Sequence, residues 1–263
     1  MTSFMEKFRS ARSTNNSLLC LGLDPDRDRI PEIFEQMEVE KWCKNIIESA
    51  VHVASVVKPN VAFFSANRLE NELERVIAYA QYCDLPVILD AKRGDIGNTA
   101  RQYAREAFER YGADAVTLNP YLGFEDCMEP YLEYDGRGLI ILCHTSNKGS
   151  GEFQELMVDP TTGRLVYERV AEVAAKWDEK AGGGRIGLVL GATYPAELAN
   201  IRRIVGPDVF ILAPGVGKQA GDVEATVKAG GENMAINVSS GINYAKNPFA
   251  AAQEFRDQFN LYR

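Results

Sequence analysis

The stretch PVILDAKRGDIGNT, residues 86–99, opens on a short apolar run and closes on charges and a glycine-containing turn. In an extended chain, side chains two apart share a face, so Asp90 and Lys92 point one way while Val87, Leu89 and Ala91 point the other. In a parallel barrel the outward face packs beneath helices, and inward residues at the carboxyl strand ends floor the active site. Taken alone, Asp-x-Lys fits equally well a structural ion pair that closes the barrel top.

Similar apolar runs recur on either side of this one, at 18–24, 54–64, 115–119, 138–145, 186–192, 209–216 and 234–239. Between them, segments at 32–53, 67–82, 99–111, 165–180, 195–205, 222–229 and 248–259 carry helical spacing, with a weaker one near 124–134. Eight strand-then-helix pairs predict an α/β fold of the (β/α)8 TIM-barrel type, one domain over residues 1–263. A doubly wound open sheet also alternates strands and helices. It usually carries a glycine-rich phosphate loop after strand one, however, where this chain reads the acidic LGLDPDRD, 21–28. The longest irregular stretch, 146–163, follows strand five on what would be the catalytic face.

Composition narrows the function. Hydrophobic residues make up 46% and charged residues 25%, enough apolar material for a full core and unlike a disordered chain. With 29 Lys+Arg against 37 Asp+Glu, the net charge of −8 offers no general attraction for nucleic acid or an anionic membrane, so an anionic substrate needs a local basic site. The first residues lack an apolar stretch of signal-peptide length, and no segment approaches a membrane span of about 18 apolar residues. Five scattered cysteines without a CxxC pair fit a reducing cytoplasm. Only His52 and His144 are present, which argues against a multi-histidine metal site, although carboxylates could hold magnesium.

Strand two ends in SVVKPN, placing Lys58 at its carboxyl end, and strand one ends at Asp24. Three neighbouring strands thus deliver ionisable groups to one rim, which costs stability unless cations and anions alternate. Asp95 lies past its strand, where geometry leaves open whether it serves its own site or a neighbour's.

DAKRGDIGNT, 90–99, resembles the Asp-x-Lys-x-x-Asp-Ile-x-x-Thr signature of orotidine 5'-phosphate decarboxylases. LGLDPD, KPN, LNPYLG, HTSNKGSGEF and APGVGKQAGD extend the resemblance over nearly the whole chain, most closely to the bacterial branch with the longer strand-five loop. The resemblance implies a cofactor-free, metal-free, cytoplasmic homodimer that converts orotidine 5'-monophosphate to uridine 5'-monophosphate and carbon dioxide. Its charged tetrad falls on Lys58, Asp90, Lys92 and Asp95, the last donated with Thr99 by the partner subunit. Lys92 would stabilise and then protonate the carbanion left at C6, an in-plane charge that the pyrimidine ring cannot delocalise. Asp90 would lie near the substrate carboxylate. Asp24 and Lys58 would meet the ribose hydroxyls, Ser146 the pyrimidine, and Gly215, Gly217 and Gln219 the phosphate end.

One departure stands out. After strand eight the family has an arginine that holds phosphate, whereas this chain reads Val238-Ser239-Ser240-Gly241-Ile242, with Ser240 in the arginine's place and Lys218 a possible substitute. Two other readings remain open here: a magnesium-dependent sugar-phosphate decarboxylase or aldolase of the same barrel superfamily, and a phosphate-ligand-binding barrel without useful catalysis.

Overall fold

Runs rich in Val, Ile and Leu form eight parallel strands in the computed structural model, which describes residues 2–215 and 220–263. The barrel strands are β1 (Leu19–Leu23), β2 (Val56–Pro59), β3 (Ile88–Arg93), β4 (Ala115–Leu118), β5 (Gly138–His144), β6 (Ile186–Leu190), β7 (Ile211–Pro214) and β8 (Met234–Val238). β1 pairs with β2, the strands from β3 to β8 pair each with the next, and β8 pairs back onto β1. Single bridges Val57 to Val87 and Asn60 to Asp90 join β2 to β3 and complete the ring.

Strand alternation divides the buried side chains into two layers. Cys20, Val56, Ile88, Ala115, Ile140, Val189, Leu212 and Ala235 fill the barrel interior. Val57, Val87, Leu89, Val116, Leu139 and Leu188 face outward and pack with the helices, as the period of two requires.

The amino-terminal helix Phe4–Thr14 closes the bottom of the barrel, an element that the strand-helix count does not include. A capping box starts it: the Ser3 Oγ accepts from the Glu6 N–H at 3.2 Å, and the Glu6 carboxylate accepts from the Ser3 N–H at 2.7 Å. Phe4 and Phe8 then meet Phe210 edge to face at 5.1 and 4.8 Å. Gly138 makes room for this plug, because a Cβ there would lie 2.8 Å from the Phe4 ring.

Four expectations need correction. The strand expected over 54–64 ends at Pro59; Asn60 accepts from the Ala62 N–H at 3.1 Å and caps a short helix, Val61–Ser65. The helix expected over 32–53 is two, Pro31–Glu35 and Val39–Ala50, separated where Met37 turns to φ +54°. The helix expected over 99–111 runs over Gly97–Arg105 and ends in a π-helical turn, Glu106–Arg110. The weak segment near 124–134 contains one short helix, Glu129–Leu132. After β5, the irregular stretch carries an antiparallel hairpin, Met157–Asp159 with Arg164–Leu165.

Candidate active site

Lys58, Asp90 and Lys92 meet at the carboxyl ends of β2 and β3. The Lys58 ammonium donates to Asp90 Oδ2 at 2.7 Å, and Lys92 donates to Asp90 Oδ1 at 2.6 Å. Lys58 and Asp90 are almost wholly buried, whereas half of the Lys92 side chain is open to solvent. One ammonium is therefore buried against the carboxylate and the other is presented to the mouth.

Thr117 of β4, which the sequence reading did not single out, completes the network. Its hydroxyl donates to Asp90 Oδ1 at 3.0 Å and accepts from the N–H groups of Ala91 and Lys92 at 3.0 and 2.9 Å. These last two bonds substitute for a ladder that is interrupted between Leu89 and Arg93, where Lys92 adopts a left-handed φ of +47°. Simple alternation therefore stops at Asp90. Lys92 reaches the same carboxylate through a local backbone excursion of the kind that costs about 1–3 kcal/mol and clusters at functional sites.

Burial alone would push the Asp90 carboxyl up, but Lys58 and Lys92 together hold it well below the usual carboxylate range. Burial likewise works against the Lys58 ammonium, and Asp90 and Asp24 more than offset it, so its pKa is raised. The sign follows for stability. The Asp90 contribution is present above the unfolded carboxylate pKa and fades as pH falls through the depressed one; that of Lys58 fades only as pH rises beyond the ordinary lysine range. Unpairing such a buried couple by removing one partner costs about 3–5 kcal/mol.

The remaining expected residues surround this network. Asp24 follows β1 half-buried, and its Oδ1 is buried with no hydrogen-bond partner among the described residues. Ser146 is exposed beyond β5, its backbone and side chain lying against the ends of β6 and β7. Gly215 takes a φ of +89°. Ser240 is exposed and opens a four-residue helix, Ser240–Asn243. Gly217, Lys218 and Gln219 lie outside the described residues. Among the described residues, no group of three or more His, Cys, Asp or Glu could hold a metal, and no helix is long and apolar enough to cross a membrane.

A cleft of about 350 Å³ lined by Asn60, Ser65, Asp90 and Lys92 opens beside the network. A larger groove of about 600 Å³ lies on the opposite face, between the amino-terminal helix and residues 81–86, away from the charged strand ends. Chemistry rather than size locates the site.

Residues 17–255 match the model of the orotidine 5'-phosphate decarboxylase / HUMPS family. The chain belongs to this family. It is 48% identical to orotidine 5'-phosphate decarboxylase of Ralstonia nicotianae, with 99% of each chain covered. To the Dechloromonas aromatica enzyme of the same name it is 47% identical, over 99% of this chain and all of the other. The structure of Leishmania donovani OMP decarboxylase superposes with a TM-score of 0.87 at 37% identity, covering 99% of this chain and 98% of that one. Asp95, at the start of the turn after β3, stands apart from the Lys58–Asp90–Lys92 network. Its Oδ1 accepts from the Ile96 N–H at 2.8 Å, and among the described residues it forms no hydrogen bond or salt bridge with Lys92 or Asp90 of its own chain. Thr99 is exposed on the helix that follows.

Proposed function

We propose that this enzyme converts orotidine 5'-monophosphate to uridine 5'-monophosphate and carbon dioxide, the last step of de novo UMP synthesis, by preorganised charge and without a cofactor. The observation that carries the reading is the pairing of one buried and one presented lysine on a single buried carboxylate. Losing carbon dioxide leaves an electron pair in the ring plane at C6. A cation already fixed beside C6 stabilises that charge without reorganising, and Lys92 is the ammonium with a free path to the mouth. The same ammonium then transfers its proton to C6. Asp90 holds Lys92 in place while Lys58 and Thr117 hold Asp90.

Around this centre, the unpartnered Asp24 oxygen suits a ribose hydroxyl, with Lys58 behind it, and Ser146 faces the base. The phosphate belongs at the end of β7, where Gly215 frees the backbone, continuing through Gly217 and Gln219 to Ser240 after β8. Asp95 and Thr99 complete the site of a second copy. Exposed Ile96, Tyr121 and Leu122 on the β3 and β4 loops supply an apolar surface for that homodimer contact. Nucleic acid and membranes have no place in this reading. A chelator separates it from the magnesium-dependent relatives: carbon dioxide release from orotidine 5'-monophosphate is expected to continue unchanged in excess EDTA. Loss of turnover restored by magnesium would overturn it.

Ser240 is the weak point of the phosphate end. A hydroxyl gives one hydrogen bond without the charge or fork of a guanidinium. Ser240→Arg is expected to raise kcat/KM for orotidine 5'-monophosphate by at least about tenfold, near 1.4 kcal/mol of transition-state stabilisation. Orotidine, which lacks phosphate, is the control and should hardly respond. If the phosphorylated substrate gains nothing, another cation already fills the role, and Lys218 is the next residue to replace.

A further inference from the structure

Ser146 stands at the start of a long exposed segment, yet the residues before it are tied down from the far side of that segment. The Thr145 N–H donates to Gln154 Oε1 at 2.8 Å, and Gln154 Nε2 donates to the Thr145 hydroxyl at 2.8 Å. Next to this pair, His144 Nε2 lies 3.2 Å from Glu155 Oε1. The His144 ring is only 1% exposed and sits between Tyr167 and Tyr194, with ring centroids 4.7 and 4.5 Å away. Its Nδ1 is buried without a partner among the described residues, which leaves Glu155 as the ring's polar anchor.

On the barrel side, Gly191 donates its N–H to the His144 carbonyl at 2.7 Å. A Cβ at Gly191 would lie 3.1 Å from the Ser146 backbone, and one at Gly215 would lie 3.3 Å from the Ser146 Oγ. Ser146 is therefore seated on two strand ends that have no side chains, while Gln154 and Glu155 grip the two residues before it. The gripping shortens the free part of the segment to the residues between Ser146 and Phe153 and removes much of the freedom that a loop-borne serine would otherwise have.

We propose that Gln154, through Thr145, and Glu155, through His144, form a clasp that sets the position of Ser146 over the mouth. Gln154 and His144 are then positioning residues for recognition of the pyrimidine. The inference rests on the reading that Ser146 meets the base. A hydroxyl displaced by about an ångström loses that contact, a scale of misplacement that can cost up to about a hundredfold in rate.

Gln154→Leu keeps the volume and removes the side-chain hydrogen bonds to Thr145. In the otherwise intact enzyme it is expected to lower kcat/KM for orotidine 5'-monophosphate about tenfold and to weaken uridine 5'-monophosphate similarly, while ribose 5-phosphate, which has no base, stays within about twofold. In a Ser146→Ala background the same change should cost less than about twofold, because the residue it positions is already gone. Glu155→Ala, at a half-exposed side chain, serves as a second variant: its smaller loss, about threefold, should also vanish in that background. Equal losses in both backgrounds, equal weakening of ribose 5-phosphate, or parental kinetics in both variants would overturn the clasp. If Ser146→Ala itself leaves kcat/KM at the parental value, the base contact is the reading that fails, and the clasp falls with it. If Ser146→Ala is impaired but Gln154→Leu costs as much on top of it as it does alone, the clasp alone fails.

Discussion

Lys92→Ala is expected to abolish useful turnover of orotidine 5'-monophosphate, lowering kcat by at least about a thousandfold, while the barrel remains folded. The two halves of this result have separate causes. Catalysis is lost because the ammonium beside C6 both stabilises the developing carbanion and supplies the proton that ends its life, and nothing else in the network can do either. Lys58 is committed to Asp90 Oδ2 in the barrel wall, almost wholly buried. The fold survives because Asp90 keeps Lys58 and the Thr117 hydroxyl after Lys92 is gone, so no buried charge is left unpaired. A half-exposed lysine contributes at most about 1 kcal/mol to stability, which corresponds to a shift of a few degrees in Tm. Carbon dioxide release and a thermal melt check the two halves independently. Turnover within about tenfold of the parent would remove Lys92 from the chemistry. A collapse in Tm with the activity would make it a structural residue instead. Lys92→Arg sharpens the test, since a guanidinium keeps the charge but holds its proton too tightly to deliver it.

How far the sequence foretells this site depends on how regular the backbone is at each residue. Val87, Leu89 and Asp90 follow the period of two, and their outward and inward faces are readable from position alone. Lys92 reaches the expected partner by a route that period does not describe, because a positive φ in a lysine has no marker in the sequence. Thr117 is invisible for a different reason: a threonine within an apolar strand is an ordinary β-former, and only the neighbouring strand reveals that its hydroxyl faces a buried carboxylate. The amino-terminal plug was legible in principle. Ser3 and Glu6 are spaced as a capping box, and Phe4, Met5 and Phe8 recur on one helical face. The short helix Val61–Ser65 reads as strand because VAFF is apolar throughout, and the signal against that reading is the capping Asn60.

Subunit mixing tests whether Asp95 acts across the dimer interface. Lys92→Ala and Asp95→Ala are each expected to be nearly inactive alone, yet dimers mixed from the two should recover activity. If a site takes Lys92 from one subunit and Asp95 from the other, each heterodimer has one site in which both are replaced and one in which both are intact. Random exchange makes half of the dimers mixed, so recovery should approach about a quarter of parental activity. The geometry supports the crossing: Asp95 turns to the Ile96 N–H instead of to Lys92, and the Ile96 side chain beside it is 57% exposed, as suits a residue awaiting a second copy. If Asp95 serves its own chain, both sites of every heterodimer are damaged and mixing restores nothing. Mixing the doubly substituted chain, Lys92→Ala with Asp95→Ala, with the Lys92→Ala chain is the control, because no arrangement of those subunits contains an intact site. Subunit exchange is followed by mass spectrometry of differently tagged chains. Complete exchange without recovered carbon dioxide release would place Asp95 in its own subunit and leave the apolar patch at Ile96, Tyr121 and Leu122 without a catalytic role.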